Sequence, residues 1–569
     1  MRTVKSNGVE YVQLAHNEWV DGKSRTKVVH GFGRKDRLDQ EALKRLISSI
    51  SRFLDPGDAA AVRQDLGLEA PFEFLGAREY GGTYLLDGLW ERLGIGGVLK
   101  RLAGEREFGV DVERLLFALV AQRALAPGSK LAAEAWVNDV AHIDGLPEVE
   151  VQQLYRAMDF LLEAHDDIQR EVFWGVKNLF NLEVDLIFVD TTSTYFEIEG
   201  EDEDEADDAD DVEGDEAADT EATAGLRRRG YSKDSRADLA QAVLGFAVTR
   251  DGIPVRCWVW PGNTVDVSVV EEVKRDLNDW KLGRVVMVMD TGFNSAENRR
   301  TLQGAGDAFI IGEKMRLGRD GTLPEALTRA GRYKTLQNGL KVKQVITNRG
   351  SVAARRFVVV HNPEQAERDE MKRSHIIAEA ERRLTALGDL SGKSHTKAVC
   401  NLRAHKVFGR YLRELKSGAL KLDKAKIAVE AKLDGKYLIS TSDEHLSVED
   451  VVLGYKQLHE IERVNRDLKH TVDVRPVYHR RGDRIKAHVL LCWLALLLIR
   501  MAENESGESW HQLKQVFRPL LVAEHQTQHG VISQTNTVTA EQKRVLDGLN
   551  LKAPKRYLAI PTSRRPETT

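Results

Sequence analysis

Hydrophobic and polar positions along this chain change period three times. Near the N-terminus, Tyr11 to Val20 and Lys27 to Phe32 flank a turn at Asp21-Gly22 and read as strand, turn and strand, followed by a helix from about Gln40 to Phe53. From about residue 80 to 180 apolar residues recur every three to four positions. This spacing predicts helices over Leu85–Leu93, Val112–Leu125, Leu131–Val137 and Val151–Leu162, with Pro127-Gly128-Ser129 interrupting the middle pair. The pattern then shortens to continuous apolar runs, Asp185 to Asp190 and Val285 to Asp290, of the kind found in strands buried on both faces. Each run ends in Asp.

Between those runs, Gln241–Thr249 and Ile253–Trp260 form a predicted hairpin around Arg250-Asp251-Gly252, and Asp266–Trp280 a helix. Ser295–Gln303 and Phe309–Gly312 add a helix and a strand. The order β-β-β-α-β-α-β predicts an α/β class with a ribonuclease-H-like mixed sheet. Further on, Lys341–Thr347, Arg356–His361 and Tyr437–Ser440 read as strands and Glu364–Leu384 as a highly charged helix, together an inserted, partly β subdomain. Tyr455 to Lys469 reads as one helix, opened by a capping box of Ser447 and Asp450. The basic turn His479-Arg480-Arg481 precedes a buried helix over Ile485–Met501. The expected division is a small β unit at 1–70, a helical region at 71–180 with no helix-turn-helix signature, and an α/β core at 181–317 and 441–505. The core is interrupted by an insertion at 318–440, and a helical segment with a disordered tail fills 506–569.

Composition sharpens this in two ways. With 569 residues, 42% hydrophobic and 30% charged, the chain is too long for one core and reads as a soluble globular protein. The longest apolar run, Val489–Ile499, is too short for a bilayer, and no N-terminal signal segment is visible, so no membrane partner is expected. Three scattered cysteines form no CxxC site or disulfide framework, which suits the cytoplasm. The formal net charge is −5, yet Glu201–Glu221 alone holds fourteen acids and no Lys or Arg, so the remainder carries −5 + 14 = +9. A basic body admits a nucleic-acid partner. The acidic run belongs to a loop at 199–225 expected to be disordered.

Chemistry enters through three carboxylates. Tyr455, Leu458, Glu462 and Lys469 fall on one narrow helical stripe beside the core-facing Ile461, Val464 and Leu468, placing Glu462 at the edge of a buried face. Phosphodiester cleavage needs two hard cations about 3.5–4 Å apart. Two Asp and one Glu at a sheet edge suffice to hold magnesium. Asp190, Asp290 and Glu462 are that set. The plainer readings are strand-end turn caps for the two Asp residues and an i,i+4 pair with Arg466 for Glu462. Asp266 reads as the cap of the helix that follows it. Lys233 and Arg236, with Arg227-Arg228-Arg229, are suited to a phosphate backbone or to balancing the acidic run. Arg480 and Arg481 carry the same two readings.

The spacing Tyr, two residues, Arg, three, Glu, six, Lys marks one branch of the bacterial insertion-sequence DDE transposases, the insertion-sequence-four superfamily. This chain resembles it at Tyr455, Glu462 and Lys469 and departs at Leu458. The resemblance extends to Asp190-Thr-Thr-Ser-Thr, Gly230-Tyr-Ser-Lys-Asp-Ser-Arg, Gly262-Asn-Thr, Asp290-Thr-Gly-Phe and Arg475-Pro-Val-Tyr. It implies binding of double-stranded DNA at terminal inverted repeats, Mg²⁺-dependent cleavage there with Mn²⁺ able to substitute, strand transfer to target DNA, and a homodimeric complex. It also implies DNA contacts by Tyr455 and Lys469, and Arg466 lies where it could replace the missing Arg. Two rivals stand beside it. One is a phosphatase with Asp190 as acceptor, which commonly wants a second Asp where Thr192 stands; the other is a catalytically inactive DNA-binding relative that keeps the fold.

Overall fold

The computed structural model describes residues 2–20, 23–50, 53–54, 58, 73–104, 109–180, 186–197, 200–202, 225–280, 285–304, 307–317, 322–351, 353–477, 479–527 and 530–559. Residues 203–221 of the acidic run and the tail from 560 fall outside this set. The chain divides into two compact units. One comprises 1–78, 521–537 and 554–569, the other 79–520 and 538–553.

In the first unit Arg2–Ser6, Val9–Val20 and Lys23–Arg34 form an antiparallel sheet, followed by a helix at Gln40–Ile50. A four-stranded sheet in the order Tyr557–Ala559, Gly530–Thr535, Leu521–Thr527, Glu73–Glu79 completes it. This corrects the expectation of a helical C-terminal segment: among the described residues beyond 506 only Trp510–Phe517 and Ala540–Gly548 are helices, because 521–527 and 530–535 pair as a hairpin and Tyr557–Ala559 adds to its edge. The tail expected to be disordered from about 553 lies outside the described residues from 560 on.

The second unit is a mixed α/β structure built on a nine-stranded sheet. Its strands are β1 (Leu186–Tyr195), β2 (Gln241–Thr249), β3 (Pro254–Pro261), β4 (Val286–Met289), β5 (Ala308–Glu313), β6 (Lys334–Thr335), β7 (Lys341–Thr347), β8 (Arg355–His361) and β9 (Lys436–Thr441). They lie in the order β6-β7-β8-β9-β5-β4-β1-β2-β3, with β1, β4 and β5 parallel and every other pair antiparallel. Residues of β1, β2 and β4 are almost all buried, as continuous apolar runs require. The strands predicted for an inserted subdomain instead extend this sheet. The free edge of β5 presents unpaired backbone groups, and β9 fills it antiparallel, with β8 and β7 beyond. Only the intervening segment stands apart: the charged helix Pro363–Leu387, the helix Gly392–Ala404 and the hairpin Leu412–Glu414 with Leu420–Leu422, packed around Ala380, Leu402, Phe408 and Leu412.

The helical region does not form a separate layer of its own either. Val112–Leu125, in which every residue but Leu125 is buried, shares one hydrophobic core with the sheet and with a helix at Gly482–Ser506. That central helix has 25 residues, longer than the apolar run suggested. By length and composition it is the one described helix able to cross a bilayer, but it is packed inside the protein. Trp493 and Arg500 tie it to the β2–β3 hairpin. Trp493 Nε1 donates to the Pro254 carbonyl at 2.9 Å. Arg500, 1% exposed, donates to Glu460 and Glu503 at 2.9 and 3.0 Å and to the Gly252 carbonyl at 3.2 Å. Gly252 turns the β2–β3 hairpin with φ +74°, and a Cβ there would collide with the guanidinium.

Tyr455 to Lys469 is two helices, not one: Val448–Lys456 and Leu458–His470, joined at Gln457. The capping box of Ser447 and Asp450 forms as expected. Gln457 ends the first helix with its N–H on the Leu453 and Gly454 carbonyls, and neither Pro nor Gly marks the joint. The predicted single stripe is therefore broken between Tyr455 and Glu462.

Removing one partner of a buried charged network leaves the others uncompensated. Arg500→Leu should lower unfolding stability by about 3–5 kcal/mol. Arg463→Ala, which breaks a half-exposed pair with Glu503, should cost about 1 kcal/mol or less. Urea unfolding midpoints of the two variants check the contrast; equal shifts would contradict the assigned role of Arg500.

Candidate active site

The site begins with strand register. β1 and β4 run parallel with Val189 opposite Met289, so the next residues, Asp190 and Asp290, stand at the same height on strands about 4.8 Å apart. β4 ends there, while β1 continues to Tyr195 against β2. Asp290 then caps a short 3₁₀ turn, its Oδ1 accepting from the Gly292 N–H at 2.6 Å. The turn-cap reading of Asp290 thus holds alongside the pairing of the two carboxylates.

A third carboxylate joins them, and it is not the expected one. Asp266, predicted to cap a helix, is instead the first residue of the 3₁₀ turn Asp266–Val269 and makes no side-chain cap there. Its carboxylate accepts from the Thr191 hydroxyl and lies 3.3 Å from the Lys233 ammonium. A Cβ on Gly292 would sit 2.8 Å from Asp266 Oδ2 and 2.9 Å from Asp290 Oδ1, so one small space separates these two acids. Burial raises the Asp190 carboxyl to about 6; Asp290 and Asp266 push the same way and Lys233 opposes them.

Glu462 occupies the helix Leu458–His470, which is fastened by Arg500 on Glu460 and by Asn465, whose Nδ2 donates to Asp190 Oδ2 at 3.0 Å. Asn465 lies three residues from Glu462 and so on the same helix surface. Glu462 itself is exposed, and among the described residues it forms no hydrogen bond or ion pair. The alternative pairing with Arg466 is not formed; Arg466 too is exposed without a partner among the described residues. Leu458, at the position of the signature Arg, packs against the core. The Tyr455 hydroxyl meets Thr291 and lies so near Gly312 that a Cβ there would clash with it, and burial raises its pKa.

The other predicted DNA contacts divide. Lys469 is held by Asp234 at 2.8 Å, and Asp234 also takes Arg475 at 3.3 Å. Arg236 pairs with Asp238 at 2.9 Å and lies over the Tyr195 ring. Lys233 turns inward, its ammonium donating to the Thr191 carbonyl at 2.7 Å and hydroxyl at 2.6 Å. Arg481 pairs with Asp483, whereas Arg480 is exposed without a partner among the described residues. Arg227 and Arg229 balance Asp202 and Glu201 at the base of the acidic run.

The profile of the IS1634 family transposase N-terminal domain matches residues 1–61, and that of the transposase DDE domain matches 211–498, just over half the chain. The chain belongs to the insertion-sequence DDE transposases. The matched span of this transposase includes Asp290 and Glu462 and begins after Asp190. No curated protein matches the sequence. A solved piggyBac transposase synaptic complex with hairpin DNA aligns with 77% of this chain and 78% of its own at 10% identity, with a TM-score of 0.33.

Asp190 and Asp290 fit a hard divalent cation. They offer carboxylate oxygens side by side, and Asp190 is raised partly by neighbouring negative charge that a cation would relieve. Among the described residues no three acidic, His or Cys side chains close into a ligand set, neither with Glu462 nor with Asp266 as the third member.

Asp190 takes up protons more readily folded than unfolded, so between about pH 4 and 6 the native state binds more protons and stability falls as pH rises. In metal-free protein Asp190→Asn should be more stable than wild type at pH 7.5 by about 2–3 kcal/mol, since each tenfold change in proton affinity is about 1.4 kcal/mol. The gap should close by about pH 4. Denaturant unfolding at the two pH values tests this; a gap independent of pH would contradict it.

Proposed function

We propose that this transposase binds the terminal inverted repeats of an insertion sequence, cleaves DNA at the element ends and joins the freed 3′-hydroxyl to target DNA. Asp190, Asp290 and Glu462 would hold Mg²⁺, with Mn²⁺ able to substitute, in a ribonuclease-H-like core. The active form would be a cytoplasmic homodimer. The observation that supports this most is the in-register placement of Asp190 and Asp290 at the end of β4. When bound, a pair of such ions supplies the Lewis acidity that activates the attacking oxygen and stabilises the leaving one. The protein's part is positioning. Asn465 orients Asp190 and ties the Glu462 helix to β1, while Gly292 N–H orients Asp290. Exposed Arg466 and Arg480 are free to take phosphates beside the acids.

The exposed, unpartnered Glu462 favours a second reading, a DNA-binding relative without catalysis. Nicking of plasmids carrying the DNA that flanks the gene separates the two. Asp190→Ala, Asp290→Ala and Glu462→Ala should each abolish nicking while changing affinity for the ends by about twofold or less, because affinity comes mainly from Lys and Arg on phosphates. Normal cutting by Glu462→Ala would remove Glu462 from the site. Wild type that binds ends but never nicks in Mg²⁺ or Mn²⁺ would establish the second reading.

Arg466→Ala should lower the salt dependence of end binding by about one unit, the loss of one phosphate contact. A salt series against wild type reads it directly; identical slopes would exclude Arg466 from the interface.

A further inference from the structure

The carboxylate group already holds a cation, and it belongs to the protein. The Lys233 ammonium donates to the Thr191 carbonyl and hydroxyl at 2.7 and 2.6 Å, and lies 3.3 Å from Asp266 and 3.8 Å from Asp190. Its position is built rather than casual. The Lys233 N–H donates to Ser193 Oγ at 3.0 Å, fixing the backbone against β1. The next residue, Asp234, is clamped by Lys469 and Arg475. On the other side, Gly230 rests on the backbone of Gly262 and Asn263 so closely that a Cβ would overlap them, and Gln241 Nε2 bonds both the Tyr231 and Gly262 carbonyls at 3.0 Å. The Lys233 side chain is only 29% exposed, which is low for a lysine offered to solvent.

Charge explains why a lysine is placed there. Asp290 and Asp266 both act on the buried Asp190 carboxyl as like charges, and the Lys233 ammonium opposes them from 3.8 Å. Without Lys233 and without metal, Asp190 and Asp266 would keep their charges near one another in a partly buried space with no cation between them, which is costly. Oxygens of Asp190, Asp266 and Thr191 that surround the ammonium are also hard donors of the kind a divalent ion takes.

We propose that Lys233 is the resident counter-ion of the metal-free site, and that a divalent cation entering beside Asp190 does so in competition with this ammonium, with Asp266 as the acid that retains it. Lys233 is thus a positioning residue that keeps Asp190 and Asp266 together before metal arrives. This rests on the metal-binding reading of Asp190 and Asp290 given above. It adds a consequence that reading lacks: removing a positive charge from the site tightens metal binding while weakening the metal-free fold.

The test uses the full chain without DNA, titrating Mn²⁺ by calorimetry and by the electron paramagnetic resonance of free Mn²⁺, alongside thermal midpoints with and without the ion. Lys233→Met should bind Mn²⁺ about tenfold more tightly, because a like charge within a few ångströms is gone. Its metal-free midpoint should fall, and saturating Mn²⁺ should restore most of the loss. Lys233→Gln, which keeps a donor for the Thr191 carbonyl, should give the same tightening with a smaller fall and serves if the Met variant does not fold. Lys233→Arg should stay close to wild type, and Asp266→Asn should weaken Mn²⁺ severalfold. Unchanged or weaker Mn²⁺ binding by both neutral variants overturns the proposal. If that result comes with a DNA salt slope lowered by about one unit, Lys233 is a phosphate contact instead. Wild type that binds no Mn²⁺ would overturn the metal reading itself, whereas Mn²⁺ binding indifferent to Lys233 overturns only the counter-ion role.

Discussion

The parallel register between β1 and β4 is the constraint on which the site depends. Because Val189 pairs with Met289, the two Asp residues that end the apolar runs arrive together. A slip of one residue would turn one of them to the opposite face of the sheet, since strand side chains alternate. Register is held by burial on both faces: Ile187, Phe188 and Val189 on one strand and Val288 and Met289 on the other are fully enclosed. The apolar character that makes these strands recognisable is therefore also what aligns the acids.

A second set of interactions carries the helix of Glu462 to that place. Arg500, enclosed in the core, ties Glu460 to the carbonyl at the β2–β3 turn, so the helix is located relative to the same sheet that holds Asp190. Asn465 completes the link from the other side. Between these anchors Glu462 is left in solvent. The two Asp residues are thus set by backbone pairing, and Glu462 only by the placement of its helix. Asp190 and Asp290 each accept a hydrogen bond that orients the carboxylate, and among the described residues Glu462 accepts none.

Much of this was legible in the sequence because it is local. The apolar runs that lead to the two Asp residues, the hairpin between them and the capping box of Ser447 all follow from patterns within a few residues, and the structure has them where the patterns put them, except that β1 runs on past Asp190 to Tyr195. What was not legible depends on distant partners. Asp266 follows a turn and resembles a helix cap; only the fold shows Thr191 and Lys233 beside it. Asn465 carries a weak signal, its place three residues after Glu462, but its target lies 275 positions away in the chain. The joint at Gln457 has no Gly or Pro to announce it. The segments Lys341–Thr347, Arg355–His361 and Lys436–Thr441 are strands as their patterns predict but not a separate body, because a sequence pattern does not say which sheet edge a strand will join.

The burial of Gly482–Ser506 has a consequence for how the molecule is made. During synthesis the sheet strands, both Asp residues and the Glu462 helix all leave the ribosome before this helix does. Until it follows, apolar surfaces of Val112–Leu125 and of β3 lack their covering, and Glu460 lacks the guanidinium that locates its helix. Domains generally fold as units once their chain is complete. The acids of this transposase are therefore assembled late, and a nascent chain still short of residue 500 carries every one of them without the core that sets them in place.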